Sequence, residues 1–211
     1  MQALAVSQGR SEPVEEEPFL DVVDRTMALM HELGAPFLLI GEVGSAVWGR
    51  DRGTKDIDLF VRPETAPKVL DALGSAGYET EVRFEHWLYK GRLNDIDVDV
   101  IFRASRDILL DDEMLSRALH MVFRGRELPI APPEDLLVMK AIATGEDTAR
   151  YWYDALAILS RADLDWDYVL ARARQHGATR ILSLLLFARS IDLVVPDAPV
   201  RALFDAAWGA A

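Results

Sequence analysis

Two short rows of aspartate are the residues in this 211-residue sequence most suited to chemistry. Asp56 and Asp58 form the first row, and Asp95, Asp97 and Asp99 form the second, with an aliphatic residue between neighbouring aspartates. Because side chains alternate along a strand, each row predicts one carboxylate face and one apolar core face. Residues two apart on a strand lie about 7 Å apart, so two carboxylates can converge on divalent ions about 4 Å apart.

Both rows could simply be the solvated outer face of a half-buried sheet. However, like charges opposite each other destabilise a sheet, and aspartate is a poor strand former. Five aspartates on what could be one sheet face therefore predict a counter-cation. Magnesium fits, because it prefers hard oxygen ligands and brings substrate phosphates with it.

Glycosyltransferases also use an Asp-x-Asp pair to hold a metal ion and a nucleotide-sugar. Their pair generally ends a long apolar strand, whereas here the apolar residues Leu59, Phe60 and Val61 follow the aspartates. This order counts against the glycosyltransferase interpretation.

A glycine-bearing stretch lies upstream of the first aspartate row. An apolar strand at residues 37–40 leads into a turn that contains Gly41, Gly44 and Ser45, and a helix start follows. Such a turn exposes backbone N–H groups at the positive end of a helix dipole, which favours phosphate binding.

With this spacing, the sequence resembles the DNA polymerase β-like nucleotidyltransferases. Their signature is a Gly-Gly or Gly-Ser pair, about ten intervening residues, then Asp-x-Asp, with a third aspartate on a later strand. Gly44-Ser45 followed by Asp56 and Asp58 is similar to that signature, and Asp99 resembles the third carboxylate. The resemblance implies that Asp56, Asp58 and Asp99 are catalytic and metal-binding, with two Mg²⁺ ions, and that Gly44 and Ser45 bind the nucleotide.

Within that superfamily, residues 40–61 look most like the AbiEii-type toxins and their relatives. In the register of that family Gly41-Glu42 occupies the double-glycine position, and Glu42 departs from the pattern because a carboxylate would repel a triphosphate. The two registers cannot both hold the phosphates, and Gly44-Ser45 is favoured. The resemblance extends to the Pro-x-Asp-Leu segment that begins at Pro133 and to Lys140 and Asp154, over residues 37–160 in all.

Three basic residues are candidates for nucleotide binding. Lys140 is the only charge between Leu136 and Ala143, in a helix that is apolar on nearly all sides, so it needs a partner. That partner is either a triphosphate or Asp154. Arg52 and Lys55 precede the first aspartates and either contact phosphates or lie in a solvated loop. Trp87 is assigned to packing.

The remaining pattern predicts an α+β fold, with a short mixed sheet flanked by helices and then a C-terminal helical region. We expect a flexible acidic tail over residues 1–17, a nucleotidyltransferase core over 18–110, and a mainly helical domain over 111–211 that completes the cleft. The spacing predicts a helix from Pro18, strands between Tyr78 and Phe102 with a turn at Lys90-Gly91, and a hairpin at 120–130.

Composition limits the partners. The absence of cysteine removes disulfides and thiolate chemistry, and neither a membrane span nor a secretory signal is found, so a cytoplasmic location is expected. The net charge of −12 argues against a broad surface for long nucleic acid but not against a local basic cleft.

The expected function is therefore metal-dependent transfer of a nucleoside monophosphate from an NTP to an acceptor hydroxyl. The AbiEii-type resemblance implies a toxin-like enzyme that acts on tRNA and has an antitoxin partner. The alternatives are a small-molecule acceptor such as an antibiotic, a protein hydroxyl, or a catalytically silent binding module, for which Glu42 is the best argument.

Overall fold

The computed structural model describes residues 16–48, 51 and 53–209. Its helices are α1 Glu16–Leu33, α2 Gly41–Ala46, α3 Ala66–Ser75, α4 Asp112–Ser116, α5 Pro133–Ala143, α6 Arg150–Arg161, α7 Trp166–His176, α8 Ala178–Ser190 and α9 Asp197–Trp208. Its strands are β1 Phe37–Leu39, β2 Asp56–Val61, β3 Glu79–Phe84, β4 Leu88–Leu93, β5 Ile96–Ile101, β6 Leu119–Phe123 and β7 Arg126–Ile130, and a short 3₁₀ turn spans Ser105–Asp107.

All seven strands form one mixed sheet in the order β3-β4-β5-β2-β1-β7-β6. Strand β2 runs parallel to β5, and β1 runs parallel to β7, while the other neighbours are antiparallel. The central pair β2–β5 is thus flanked by β4 on one side and by β1 on the other. The two aspartate rows therefore come from adjacent strands.

The α+β prediction is confirmed, since a mixed sheet flanked by helices is followed by the helical region α5–α9. Strand β2 has the bounds that the alternation predicts, and the hairpin β6–β7 is present. Helix α1 is already present at Glu16, the first described residue, whereas the predicted start is Pro18. Most of the predicted acidic tail, residues 1–15, lies outside the described residues.

Two details of the predicted strands are wrong. Lys90 and Gly91 lie inside β4, not in a turn, and β4 joins β5 through Asn94 and Asp95, both of which have positive φ. Short polar residues tolerate that left-handed conformation better than most. Asp95 consequently lies in an exposed turn beside Arg92 and does not extend the carboxylate row of β5.

Helix α5 connects the sheet to the helical region. It is buried along most of its length, as a helix apolar on nearly all sides must be, and it packs against α6, α7 and α8. The hairpin β6–β7 belongs to the second half of the chain but joins the same sheet beside β1, and the domain division at residue 110 stays a prediction. Among the described helices, none has the length and apolar character that a bilayer crossing needs.

Candidate active site

The register between β2 and β5 places the two aspartate rows side by side. Asp56 lies opposite Asp97, and Asp58 lies opposite Asp99, while the alternate residues Ile57 and Val98 are fully buried on the core face. The apolar residues thus fix which face the carboxylates take, because a shift of one residue would bury the charges. The carboxylates of Asp56, Asp58 and Asp99 all line one cavity of about 580 Å³.

The cavity has two walls above this carboxylate floor. One wall is helical and includes Leu136, Met139 and Lys140 of α5 with Arg150 and Tyr151 of α6. The other wall follows β5 and the loop after it, and it includes Trp87, Ile101, Arg103, Arg106 and Asp107. A cavity of this size is typical of small-molecule and cofactor sites.

Asp58 fits into the junction between β1 and α2. Gly41 has a φ of +62°, and a Cβ on this residue would lie 1.8 Å from Oδ2 of Asp58, so only glycine allows the carboxylate to take its place. The backbone N–H of Glu42 donates a hydrogen bond to the Asp58 carboxylate. The backbone N–H of Ile40 also donates to the carbonyl of Asp58, at 3.1 Å.

The favoured glycine register is not the one that reaches the cavity. Because α2 begins at Gly41, Gly44 and Ser45 lie in its interior and are buried. The Ser45 hydroxyl donates to the carbonyl of Gly41 at 2.8 Å, and Gly44 packs against Leu136. Gly41 and Glu42 line the cavity instead, which favours the other register, and the choice of Gly44-Ser45 as the phosphate site stays a prediction.

The three basic residues predicted to bind the nucleotide differ in their position relative to the cavity. Lys140 is buried but lines the cavity, and its Nζ lies 3.2 Å from Oδ2 of Asp154 and 4.5 Å from the ring centre of Tyr151. The internal pair with Asp154 is therefore present, and the same ammonium faces the cavity. Lys55 is exposed before β2 and is not among the residues that line the cavity. Arg52 lies outside the described residues.

Mutual repulsion and burial set the charge state of the carboxylates. Burial, then the charges of Asp99 and Asp56, raise the pKa of Asp58 to about 7, although Lys140 opposes the shift. Burial and the neighbouring carboxylates Asp99 and Asp97 also raise the pKa of Asp56. A nearby cation would stabilise the ionised form of these carboxylates. Carboxylates with perturbed pKa values in a cleft also indicate a functional site.

Lys90 contacts the aspartate row, which the sequence pattern does not indicate because it predicts a turn at Lys90-Gly91. It lies opposite Asp99 in the β4–β5 register, with Nζ 2.6 Å from Oδ1 of Asp99 and 3.5 Å from Oδ2 of Asp97. Burial raises the pKa of Asp99, while the hydrogen bond from Lys90 lowers it, and the net shift is upward.

Trp87 was assigned to packing but lines the cavity. Its indole is 40% exposed and stacks on Phe84 with ring centres 5.1 Å apart and planes 10° apart. Arg106, on the same wall, is contacted from the helical region, since Nδ1 of His176 at the end of α7 lies 3.1 Å from its backbone carbonyl oxygen. Only the fold brings these residues to the cavity, since no local pattern in the sequence marks them.

The donor set fits a hard divalent cation, because the floor offers carboxylate oxygens whose repulsion a cation would relieve. As placed, however, no three His, Asp or Glu side chains among the described residues are grouped closely enough to hold an ion. Asp99 is drawn toward Lys90 instead. Asp56 and Asp58 are therefore the pair best placed to hold Mg²⁺, which matches the hard-oxygen chemistry of the site.

The raised pKa of Asp58 predicts an unusual pH dependence of stability. The folded protein holds the Asp58 proton up to about pH 7, whereas the unfolded chain releases it near the ordinary value of 3.8. The free energy of unfolding should therefore fall as the pH rises from about 4 to about 7, and Asp58→Asn should be more stable than wild type by about 1–3 kcal/mol at about pH 8. Urea denaturation in EDTA at about pH 5 and about pH 8 measures both effects.

Asp58→Asn keeps the side-chain oxygen that accepts from Glu42, so the comparison isolates the charge. The stability gain of the variant should shrink at about pH 5, where wild-type Asp58 is already protonated. An equal difference between the two proteins at both pH values would show that Asp58 is ionised throughout.

Two aspartate rows on adjacent parallel strands thus lie beneath a cavity with one helical wall. A family model described as an uncharacterised nucleotidyltransferase matches residues 50–190, about two-thirds of the chain. The chain therefore belongs to this nucleotidyltransferase family and is a transferase. Among curated proteins, no sequence matches it.

Solved structures share the fold at low sequence identity. The solution structure of the antibiotic-resistance factor ANT(2'')-Ia has a TM-score of 0.52 at 12% identity, over 83% of this chain and 94% of that chain. The lincosamide antibiotic adenylyltransferase LnuA with lincomycin bound has a TM-score of 0.50 at 19% identity, over 71% and 99%. An antigenic nucleotidyltransferase-like protein from Paracoccidioides brasiliensis has a TM-score of 0.51 at 13% identity, over 91% and 94%.

Proposed function

We propose that this protein transfers a nucleoside monophosphate from an NTP to an acceptor hydroxyl, with Mg²⁺ held by Asp56 and Asp58. The observation that carries the proposal is the cavity in which Asp56, Asp58 and Asp99 lie beneath a wall that bears Lys140 and Arg150. Carboxylates on one side and cations on the other match the needs of a metal-bound triphosphate.

Each residue has a role that follows from its position. Bound between Asp56 and Asp58, Mg²⁺ would act as a Lewis acid on the phosphate oxygens. Lys140 and Arg150 neutralise phosphate charge from the helical wall. Asp99, whose Oδ1 is held by Lys90, accepts the acceptor hydroxyl proton on its other oxygen. The hydroxyl oxygen then attacks the α-phosphorus, the bond to the bridging oxygen breaks, and pyrophosphate leaves.

The carboxylate of Glu42 is compatible with a bound triphosphate because Arg150 lies beside it. Its Oε1 lies 3.6 Å from Nε of Arg150, so the two side chains lie together where the floor meets the helical wall. In the proposed complex Arg150 screens the triphosphate from the Glu42 carboxylate. The departure of Glu42 from the family pattern is then compatible with catalysis.

For the acceptor, the proposal is a small molecule. The net charge of −12 disfavours a long phosphate backbone, and the cavity of about 580 Å³ is of a size that takes small ligands. ANT(2'')-Ia and LnuA, which share the fold, are by their descriptions an antibiotic-resistance factor and an antibiotic adenylyltransferase. The AbiEii-type alternative, tRNA with an antitoxin partner, is the competing outcome of the same test.

Two measurements test the proposal. Calorimetry of each NTP with and without Mg²⁺ should show binding that depends on Mg²⁺, and absence of binding would favour a silent module. Transfer from labelled NTP should then be assayed against an antibiotic panel that includes aminoglycosides and lincosamides, against total tRNA, and against cell lysate. Label on tRNA or protein alone would reject the small-molecule acceptor but keep nucleotide transfer.

Lys140 gives a prediction that separates its structural role from its binding role. Lys140→Met should raise KM for the NTP by about tenfold, since it removes a phosphate contact of about 1.4 kcal/mol or more. It should also destabilise the fold by about 3–5 kcal/mol, because Asp154 is fully buried beside it. Steady-state kinetics and urea denaturation measure the two effects.

The double variant Lys140→Met with Asp154→Leu is the matched control. Removing both charges of a buried pair is often neutral, so the double variant should recover part of the lost stability while KM stays high. If KM returned to the wild-type value together with stability, Lys140 would have only a structural role.

A further inference from the structure

Six charged side chains lie in three rows on one face of the sheet. The central strand β5 carries Asp97 and Asp99, which lie opposite Asp56 and Asp58 of β2. On its other side β5 pairs with β4, where Lys90 lies opposite Asp99 and Arg92 lies opposite Asp97. Across this face, β4 therefore carries two basic residues, and β5 and β2 carry two acidic residues each.

The basic row compensates one acidic row. Lys90 Nζ lies 2.6 Å from Asp99, and Arg92 Nε lies 3.8 Å from Asp97. Across the described residues, no Lys, Arg or His side chain comes within 4 Å of the carboxylates of Asp56 or Asp58. Within the part of the chain that the structure describes, two of these four carboxylates thus have a cation within 4 Å and two do not.

The Lys90 contact is held by the fold. Its strand position is fixed by the β4–β5 ladder on both sides of the pair, from Leu88 opposite Ile101 to Leu93 opposite Ile96. Gly91, next to Lys90, lies against Leu73 of α3, so β4 is also held from the core face. The ammonium therefore lies where the strands put it, and Asp99 has one oxygen, Oδ1, engaged by it.

We infer that Lys90 takes the place of a second divalent cation in this active site, so that one Mg²⁺, held by Asp56 and Asp58, suffices for the proposed transfer. Two carboxylates from β2 hold that single ion, and the fixed ammonium supplies on the β5 side the positive charge that a second ion would bring. Asp99, engaged by Lys90, lies beside the acceptor without being a metal ligand. The inference rests on the proposed function and replaces the expected two-ion site by a one-ion site.

Counting bound ions tests the inference without measuring activity. Mn²⁺ replaces Mg²⁺ as a paramagnetic probe, a non-hydrolysable NTP analogue forms the complex, and electron paramagnetic resonance of free Mn²⁺ gives the number bound per chain. Wild type should bind one Mn²⁺. Lys90→Met, which frees the carboxylate of Asp99, should bind two.

Two further variants control for charge and fold. Lys90→Arg keeps the cation and should bind one Mn²⁺, and Lys68→Met removes an exposed lysine on α3 with the same change in net charge and should also bind one. If Lys90→Met does not fold, the wild-type count still decides between one ion and two, and two ions would overturn the inference.

The outcomes separate this inference from the proposed function. Two Mn²⁺ ions per chain in wild type, or one in folded Lys90→Met, would overturn the role of Lys90 and leave nucleotide transfer standing. No Mn²⁺ bound to the wild-type complex would overturn both.

Discussion

Asp56→Ala should reduce kcat/KM for nucleotide transfer by at least about 10³-fold while the fold stays intact. Loss of one preorganised catalytic donor costs about 10²–10³-fold, and Asp56 would supply a full charge and one of the two metal ligands. Asp56 is solvent-accessible at the start of β2, although the cavity around it partly desolvates its carboxylate, so its removal leaves no hole in the apolar core. It also removes a carboxylate that repels Asp97 and Asp99, which should leave stability unchanged or slightly higher.

Asp95→Ala is the matched control for this experiment. It removes the same charge as Asp56→Ala, but the Asp95 side chain is 94% exposed in the turn between β4 and β5. Activity of Asp95→Ala should stay within about twofold of wild type, as is usual for surface substitutions. Transfer kinetics, circular dichroism and Mg²⁺ titration should be compared across the three proteins. Full turnover by folded Asp56→Ala would reject the assignment of Asp56 as a catalytic metal ligand.

The aspartate face could be predicted from the sequence because it depends on a local rule. Alternation along Asp56–Val61 and along the strand that contains Asp97 and Asp99 fixes which side chains share a face, and the structure pairs these strands directly. The burial of α5 is equally local, since an apolar helix that contains one lysine must lie inside the protein. The Lys140–Asp154 pair follows from that burial.

The turn predicted at Lys90-Gly91 is wrong because a glycine can mark either a turn or a close packing contact within a strand. Glycine after lysine predicts a turn, yet a Cβ on Gly91 would lie 3.0 Å from Leu73, so close packing of α3 on the sheet explains this glycine. The actual turn contains Asn94, the only asparagine in the chain, in the left-handed conformation that asparagine favours. A turn at Asn94-Asp95 would have placed Lys90 opposite Asp99 from sequence alone.

The walls of the cavity could not be predicted because they depend on long-range packing. Trp87, Arg103 and Arg150 come from three separate segments, and nothing in the residues near each one indicates a shared cavity. The cavity forms only when residues of α5 and α6 come to face those of β2 and β5. Periodicity predicts the separate elements, but it does not predict how they come together.

Substitution by alanine should distinguish the two candidate phosphate sites, Gly41-Glu42 and Gly44-Ser45, because the added methyl group meets different surroundings at Gly41 and at Gly44. In Gly41→Ala the new Cβ would lie 1.8 Å from Oδ2 of Asp58, and the alanine would have to keep a φ of +62°. The carboxylate must therefore move by about 1 Å or more, and a misplacement of that size costs about 10²-fold in rate. Strain in the left-handed conformation should add about 1–2 kcal/mol of destabilisation.

Gly44→Ala should behave differently, although Gly44 is only three residues away. It lies inside α2, where alanine is favoured over glycine by about 0.5–1 kcal/mol. The new Cβ would lie 3.1 Å from the Cδ2 methyl of Leu136, which can move by a few tenths of an ångström, so stability should change little and kcat/KM by less than about threefold. Because neither Gly44 nor Ser45 lines the cavity, a large loss of NTP affinity in Gly44→Ala, with Gly41→Ala fully active, would restore Gly44-Ser45 as the phosphate site and remove Gly41 from its role beside Asp58.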